Sequence, residues 1–457
     1  MTEAWIVGGA VRDELLGRPV HDVDIAVTAD PERVARAVAK ELGGPVFRLS
    51  GAFGAWRVID SRDDQVLDFA PLQGETIEED LGKRDFTVNA MARSARLQGP
   101  GIAAGELIDP LGGRADLEAR TLRVLGAAAY ERDPLRPLRL ARFVAELGFT
   151  PDPETERLTA AAAPRVTEAA GERIFAELRR LVIADRALAG LEVADRLGLL
   201  RAVLPEVAAL HDVEQSSYHH LDVYDHTVEV LARQIELEDR LDVHFGARDA
   251  DRLGRILREP LADELTRAQA LRLGALMHDI GKPATRGVLP GGRVTFIGHD
   301  EAGERMVRAI CRRLRTSERL SRFLEGITRH HLALGFLVHE RPLDRRQIYR
   351  YLARTSPVEV EVTLLSCADR LATRGRRAGE ATGPHLELAA ELMQAALDWR
   401  EQGPPPVPVR GDELARELGI VPGPELGRLL AELAEAVYAG EVENREQAVE
   451  LGRRLTP

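Results

Sequence analysis

The sequence predicts a mixed α/β head followed by an all-helical remainder. Through the first 125 residues, short apolar or alternating runs are interleaved with segments of helical spacing. Beyond about Leu125, Ala, Leu, Glu and Arg dominate, and apolar residues recur three and four apart, as in amphipathic helices. The chain has 457 residues, too many for one compact core, so we expect roughly two to four domains.

The head elements follow from local pattern. An apolar run ends at two glycines, Gly8 and Gly9, and an amphipathic helix follows. Later segments either alternate, as strands do, or have helical spacing. The predicted elements are strand 4–7, helix 10–16, strand 23–27, helix 31–42, strand 56–59 and strand 66–69.

The helical remainder is divided by a proline-rich stretch. Pro404, Pro405, Pro406 and Pro408 mark a linker, and a short helical module over 411–455 follows it. We therefore expect four parts. These are a head over 1–125, a neck over 126–185, a body over 186–403, and a linker with a helical tail over 404–457.

Charge and composition narrow the class of protein. The net charge of −12 argues against a general nucleic-acid coat protein, although a local basic face remains compatible with it. The basic residues are 59 arginines and three lysines. Cys311 and Cys367 are too few for a disulfide framework. With neither a signal-peptide pattern nor a long apolar run, we expect a cytoplasmic protein without membrane association.

The first chemical motif is a pair of aspartates behind a glycine turn. Asp22 and Asp24 are two apart on a predicted strand, so both carboxylates project from one face. Hard oxygen ligands suit Mg²⁺, and Gly8-Gly9 allows close approach of an anion to the backbone. Asp68 on another predicted strand provides a third carboxylate for a two-metal site.

Together with further runs along the chain, this motif resembles the class II tRNA nucleotidyltransferases and bacterial poly(A) polymerases. The resemblance covers nearly the whole chain and implies a small nucleotidyltransferase-type β-sheet in the head. The runs that carry it are 8–27, 84–90, 109–113, 133–143, 172–178, 422–427 and 440–446.

The resemblance implies Mg²⁺-dependent, template-independent addition of CCA to tRNA 3′ ends from CTP and ATP. Asp22, Asp24 and Asp68 would be catalytic, and the first two would hold Mg²⁺. The residues implied in nucleotide binding are Gly8, Gly9, Arg12, Arg84, Asp85, Asn89, Asp133, Arg136, Arg139 and Arg142.

Hydrogen bonds of a base with Asp133 and Arg136 would explain how the protein selects bases. Spaced three apart on a predicted helix, they share one face, and Arg139 and Arg142 continue the stripe. A carboxylate accepts and a guanidinium donates. Cytosine and adenine each present an amino donor beside a ring-nitrogen acceptor, so this pair would accept them and reject uracil and guanine.

A second motif lies in the body. His226, the adjacent His278 and Asp279, and the distant Asp369 fit a site for Mn, Fe, Ni, Co or Mg. The joined pattern resembles the HD phosphohydrolase superfamily. That resemblance implies these four as ligands of Ni, Co, Mn or Mg, adds His299 and His330 as candidates for a second metal, and implies phosphatase or phosphodiesterase activity on RNA ends.

Several alternatives stay open. The segment 69–77 is shorter than the flexible loop usual in CCA-adding members, and Arg132 stands where the family more often has glutamate. A CC-adding or A-adding specialist and a poly(A) polymerase therefore remain alternatives. A different class would be an HD-type nucleotide phosphohydrolase with a non-catalytic RNA-binding head.

Three arginine clusters are candidates for RNA contact, at 312–315, 345–350 and 374–377. The sequence leaves the oligomeric state undetermined.

Overall fold

The structure is a computed structural model that describes residues 3–50, 54–61, 65–96, 103–215, 221–373 and 378–456. The chain divides into two compact units, Met1–Val203 and Leu204–Pro457. The arginine cluster at 374–377 lies outside the described residues. Within the described residues, no helix combines the length and apolar character needed to cross a membrane.

The first unit is built on a seven-stranded mixed sheet of order β3-β4-β5-β2-β1-β6-β7. Only β2 and β5 run parallel, and the other neighbours are antiparallel. Its strands are β1 Ala4–Val7, β2 Asp22–Val27, β3 Val46–Ser50, β4 Ala55–Asp60, β5 Gln65–Pro71, β6 Ala92–Arg96 and β7 Ala103–Ile108.

Helices of the first unit cover this sheet and continue beyond it. They are α1 Gly9–Leu15, α2 Pro31–Leu42, α3 Ile77–Leu81, α4 Gly113–Glu118, α5 Ala127–Arg132, α6 Arg136–Leu147, α7 Pro153–Ala162, α8 Gly171–Ile183, α9 Ala187–Arg196 and α10 Leu199–Val203. A short parallel pair, β8 Thr121–Leu122 and β9 Thr150–Pro151, lies among them.

Alternation along the central strands separates the core from an exposed face. Val23 and Ile25 of β2 are buried with Leu67 and Phe69 of β5 and with Ala35 of α2. Because successive strand residues point to opposite faces, the intervening aspartates project away from this core.

The second unit is helical. Its helices are α11 Pro205–Ala208, α12 Val223–Glu238, α13 Leu241–Arg258, α14 Arg267–Met277, α15 Lys282–Thr285, α16 His299–Leu314, α17 Glu318–His330, α18 Ala333–Leu337, α19 Arg345–Thr355, α20 Glu359–Ala372, α21 Ala378–Gln402, α22 Gly411–Leu418, α23 Pro424–Ala439 and α24 Arg445–Leu455. The short strands β10 Pro260–Ala262, β11 Leu265–Thr266, β12 Gly287–Val288 and β13 Val294–Thr295 form two antiparallel pairs.

The predicted fold class is confirmed, with two local differences. Strands β3, β6 and β7 and the short strand pairs were absent from the sequence prediction. Asp133 and Arg136 do not share a helix, because Asp133 is extended (φ −145°, ψ 108°) between α5 and α6. The residue before a proline is pushed out of the helical region, and Pro134 follows Asp133.

A buried ion cluster joins three helices of the second unit. Glu359 and Glu361 of α20 are 1% and 0% exposed. Arg400 of α21 donates to both, at 2.7 Å and 3.1 Å, and Arg267 of α14 also donates to Glu361. Burial raises the pKa of Glu361, but the two arginines outweigh it and the net shift is downward.

We expect Arg400→Met to lower the free energy of unfolding by about 3 kcal/mol, because it leaves the buried Glu359 without a cation and Glu361 with Arg267 alone. Urea unfolding followed by circular dichroism measures this loss. The control is Arg157→Met, whose pair with Glu154 is exposed, with an expected loss below about 1 kcal/mol. Equal losses in the two variants would contradict the expectation.

The same cluster gives a pH dependence. The folded pKa of Glu361 lies below its ordinary value of 4.5, so its contribution to stability is present above that value and is lost as the pH falls below it. The Arg400→Met variant should show a weaker loss of stability over that acidic range than the original chain.

Candidate active sites

A row of charged side chains crosses three strands of the head sheet. Asp24 of β2 pairs directly with Asp68 of β5, and Asp68 pairs directly with Arg57 of β4. Directly paired residues project from the same face of a sheet, and Asp22 joins them two positions along β2. The register of the sheet therefore brings together the three aspartates that the sequence predicted.

The aspartates of this row differ in their surroundings. Asp68 accepts two hydrogen bonds from Arg57, Nε to Oδ1 and Nη2 to Oδ2, each 2.7 Å long. Asp22 and Asp24 are exposed. Packing around the carboxylate raises the pKa of Asp24; Arg84 opposes this shift, and the charges of Asp68 and Asp22 add to it.

This donor set fits a divalent cation. Three carboxylates on neighbouring strand positions repel one another, and this repulsion adds to the packing that raises the pKa of Asp24. A hard cation relieves the repulsion and takes oxygen ligands. Asp22 and Asp24 are the residues suited to hold Mg²⁺, while Asp68 is engaged by Arg57.

The glycine turn before α1 has a steric reason. Gly8 has a φ of 73°, and a Cβ placed there would lie 2.6 Å from Nη1 of Arg84. The same Cβ would be 3.8 Å from Oδ2 of Asp24. Arg84 also donates to Oδ1 of Asp80 through Nε and Nη2, at 3.2 Å and 3.0 Å. The absence of a side chain at Gly8 thus leaves room for the Arg84 guanidinium beside the aspartate row.

A polar chain links α1 to α6 behind this site. Arg12 donates to Asn89 at 2.7 Å, and Asn89 donates to Asp85 at 3.0 Å. Arg139 closes the chain, with Nη2 2.8 Å from Oδ2 of Asp85. Burial raises the pKa of Asp85, but Arg139, Asn89 and the Phe86 N–H outweigh it and lower the pKa. The structure thus brings together four of the residues expected in nucleotide binding.

Arg136, at the start of α6, is held by main-chain oxygens. Its guanidinium donates to the carbonyls of Lys83, Arg84 and Ala129 at 2.9, 3.0 and 3.0 Å. Nearby, Arg132 donates to the carbonyl of Gly82 at 3.2 Å. The beginning of α6 is therefore fastened to the segment that carries Arg84.

The predicted arginine stripe does not form one exposed face. The Asp133 carboxylate accepts from Arg173 at 2.7 Å, and the Arg136 guanidinium is held by main-chain carbonyls. Arg142 is 2% exposed and pairs with Glu177 and Glu146 in the interior. The expectation that Arg142 lines the nucleotide-binding face is therefore corrected, because Arg142 is buried and Glu177 and Glu146 occupy its guanidinium.

In the second unit, histidines and aspartates from several helices converge. Ligand atoms of His226, His278 and Asp369 lie within 4.8 Å of one another, as do those of Asp279, His299 and His331. The two groups adjoin, since Nε2 of His278 is 3.2 Å from Oδ2 of Asp279. The sequence expectation is corrected in one place: His331, rather than His330, joins this cluster.

Main-chain carbonyls orient three of these rings. Nδ1 of His278, His299 and His331 lies 2.8, 2.7 and 2.7 Å from the carbonyls of Ala275, Phe296 and Thr328. Because a carbonyl only accepts, each Nδ1 carries a proton, and Nε2 of each ring is turned towards the cluster.

The resulting donor set fits a metal ion. Nε2 of His299 and Nε2 of His331 are 3.2 Å apart, and two lone pairs at that distance need a shared cation or proton between them. Histidines whose other ring nitrogen is bonded to a carbonyl are typical metal ligands. Burial raises the pKa of Asp279, but His278, Lys282 and His299 outweigh it, so the carboxylate stays ionised.

His330 has a different environment. It ends α17 beside His331, but burial and the charges of Arg354 and Arg329 lower its pKa to about 4. It therefore stays neutral without belonging to the cluster. Adjacent residues at a helix end point in different directions, so spacing alone did not distinguish the two histidines.

Three arginines of the clusters considered for RNA contact pair with glutamates. Arg313 pairs with Glu206 at 2.6 Å. Arg346 and Arg350 both pair with Glu435, at 3.1 and 2.7 Å. These pairs reduce the positive field that the clusters present.

Three family models match successive parts of the chain. Residues 4–75 and 56–123 match the family described as Poly A polymerase head domain. Residues 148–210 match the probable RNA- and SrmB-binding site of polymerase A, and residues 223–374 match the HD domain.

Relatives match over nearly the whole chain. An A-adding tRNA nucleotidyltransferase of Deinococcus radiodurans is 36% identical, covering 97% of this chain and 94% of its own. A CC-adding tRNA nucleotidyltransferase of Thermus thermophilus is 33% identical, covering 98% and 92%. A multifunctional CCA protein of Halorhodospira halophila is 32% identical, covering 93% and 98%.

Solved structures share the fold. A Thermotoga maritima CCA-adding enzyme complexed with tRNA has a TM-score of 0.60 at 20% identity, covering 99% of this chain and 90% of that one. The head and its aspartate row define the class as nucleotidyltransferases. The chain belongs to the family of tRNA nucleotidyltransferases and poly(A) polymerases, and it carries an HD domain.

We expect Gly8→Ala to weaken nucleotide binding, because the new methyl group displaces Arg84 from its place beside Asp24. Equilibrium dialysis with CTP and ATP measures the effect, with an expected loss of about tenfold, the size of one charged hydrogen bond. Gly17→Ala is the matched control, because Gly17 has a similar φ of 67° but open space around it. Unchanged affinity in Gly8→Ala would contradict the expectation.

Proposed function

We propose that this protein adds nucleotides to the 3′ end of tRNA, transferring CMP and AMP from CTP and ATP without a template. The observation that carries the proposal is the row formed by Asp24, Asp68 and Arg57 across three strands, with Asp22 beside it. The family, and relatives that are A-adding, CC-adding and multifunctional CCA enzymes, support a tRNA substrate.

The reaction is an in-line displacement. The 3′-hydroxyl oxygen of the RNA bonds to the α-phosphorus, the bond from the α-phosphorus to the bridging oxygen breaks, pyrophosphate leaves, and the hydroxyl proton is lost. Magnesium held by Asp22 and Asp24 would activate the hydroxyl and neutralise the triphosphate. Arg84 lies beside Asp24 and adds a positive charge for the phosphates.

Arg57 has a separate role beside the metal ligands. Its two hydrogen bonds fix the Asp68 carboxylate and neutralise it. This keeps a third negative charge from repelling the incoming triphosphate and holds Asp68 in one orientation. Sequence reasoning missed Arg57, because only strand pairing places it next to Asp68.

Selection of cytosine and adenine is proposed to involve Asp133 and Arg136, with the geometry described above. Arg173 holds the Asp133 carboxylate, and three main-chain carbonyls hold the Arg136 guanidinium. Reading a base edge would require at least one of those contacts to be exchanged for the base.

We expect Asp24→Ala to lower nucleotide incorporation about a thousandfold, the equivalent of roughly 4 kcal/mol of transition-state stabilisation. The assay is incorporation of labelled CTP and ATP into tRNA truncated at its 3′ end, with filter binding to show retained tRNA affinity. Glu41→Ala, exposed on α2 and outside the row, is the control for folding. Full activity in Asp24→Ala would refute the proposed site.

The same assay distinguishes a CCA-adding enzyme from a CC-adding or an A-adding enzyme. Sequencing the products formed with CTP, ATP or both distinguishes addition of CCA, of CC and of a terminal A. We propose full CCA addition, and a product ending at CC or requiring a preformed CC end would replace it with a specialist activity. Long A tails on unrelated RNA would instead indicate a poly(A) polymerase.

A second activity is favoured by the histidine cluster. We propose that the HD domain hydrolyses phosphomonoesters or cyclic phosphates at RNA ends. A water oxygen bonds to phosphorus, the ester P–O bond breaks, and the alcohol leaves with a proton. A divalent metal held by His226, His278, Asp279 and Asp369, with His299 and His331, would activate the water.

We expect His331→Ala to abolish this hydrolysis while incorporation of CTP stays unchanged, because the two sites belong to separate units. Phosphatase assays with Ni²⁺, Co²⁺, Mn²⁺ and Mg²⁺ measure it. His330→Ala is the matched control and should keep at least half of the activity. If His330→Ala is the inactive variant instead, the assignment of His331 is wrong.

A further inference from the structure

One buried aromatic ring of the first unit is surrounded by cations. This ring belongs to Phe143 of α6, which is 2% exposed. Its centroid lies 4.1 Å from Cζ of Arg142, 5.3 Å from Cζ of Arg12 and 5.5 Å from Cζ of Arg139. At each of these distances a guanidinium over an aromatic face is attracted by the ring. A single ring therefore contacts Arg12 and Arg139, both expected in nucleotide binding, together with the buried Arg142.

A second ring connects Phe143 to the polar chain between α1 and α6. Phe86, which is 0% exposed, meets Phe143 edge-on, with ring centroids 5.6 Å apart and an interplanar angle of 89°. The main-chain N–H of Phe86 donates to Oδ1 of Asp85 at 2.8 Å, and Oδ2 of Asp85 lies 2.8 Å from Arg139. The polar chain and the two rings thus form a closed loop of contacts. Within it, Arg12 and Arg139 each have a polar partner and a contact with the ring of Phe143.

An aromatic ring at position 143 has an electrostatic reason. Three guanidinium groups around one side chain repel one another, and an aliphatic side chain would leave that repulsion in place. The electron-rich faces of a phenyl ring attract the cations and use none of their hydrogen-bond donors. Arg139 is held in this way while 34% of its side-chain surface stays exposed. The ring can therefore fix the guanidinium without covering it.

We propose that Phe143 is a positioning residue for nucleotide binding, which orients Arg12 and Arg139 through the electrostatics of its ring. This rests on the proposed transfer of CMP and AMP and adds a residue that the sequence motifs did not indicate. Because Phe143 is buried, it acts through the two guanidinium groups and not by contact with the nucleotide. A lower electron density in the ring should weaken the binding of CTP and ATP, even when the shape of the side chain is kept.

Stepwise fluorination of the ring separates electrostatics from packing. Each fluorine withdraws electron density from the ring faces and changes the shape little, so it weakens the attraction for cations. The full-length protein is prepared with phenylalanine, 4-fluorophenylalanine, 3,5-difluorophenylalanine or 3,4,5-trifluorophenylalanine at position 143, and equilibrium dialysis gives Kd for CTP. We expect Kd to rise at every step and to reach about fivefold with the trifluorinated ring. A Kd independent of the number of fluorines would overturn the proposal.

The same series at position 149 is the matched control. Phe149 follows α6 and is 4% exposed, and within the described part of the chain no guanidinium lies over its ring. Fluorination there should leave Kd for CTP within about twofold. Thermal unfolding followed by circular dichroism gives the midpoint for both series. If Kd rises in both series, or rises only where the midpoint falls, Phe143 acts by packing and the proposal is wrong.

Incorporation kinetics distinguish this role from the transfer itself. With tRNA truncated at its 3′ end, KM for CTP should rise in step with Kd along the series at position 143, while kcat stays within about twofold. If the original protein incorporates no CTP but Kd still follows the number of fluorines, the proposed transfer is refuted and the role of Phe143 remains. Incorporation with a constant Kd would do the reverse.

Discussion

The head depends on the register between β2 and β5. This parallel pair aligns Asp24 with Asp68, while Ile25 and Phe69 on the next positions are buried. A slip of one residue would turn Phe69 towards solvent and Asp68 into the core, which costs both apolar burial and a desolvated charge. The hydrophobic core of the head therefore also sets the geometry of its carboxylates.

In the second unit, main-chain carbonyls set the orientation of the clustered histidine rings. Ordinary helix-end carbonyls, such as those of Ala275 and Thr328, hold the Nδ1 protons of His278 and His331. The cluster is consequently oriented by groups that every residue type provides. The geometry of the cluster is therefore determined by which positions carry histidine, and by the packing of the helices that bring those positions together.

Sequence reasoning succeeded where the signal is local. Alternation located β2 and β5, and the spacing of Asp22 and Asp24 placed their carboxylates on one face. It missed Arg57 because its partner becomes a neighbour only through strand pairing. The helical spacing wrongly predicts that Asp133 lies in a helix. Pro134, which follows it, forces Asp133 into an extended conformation, and this proline is visible in the sequence. The choice between adjacent histidines required the actual direction of each side chain.

The attachment of Arg136 has a consequence for genetic robustness. Its three acceptors are main-chain oxygens of Lys83, Arg84 and Ala129, and substitution of those side chains leaves the oxygens in the chain. Random mutation can therefore break this link directly at a single codon, the one for residue 136. The three partner positions are free to drift in sequence as far as this attachment is concerned, so the whole mutational vulnerability of the joint is concentrated on one arginine.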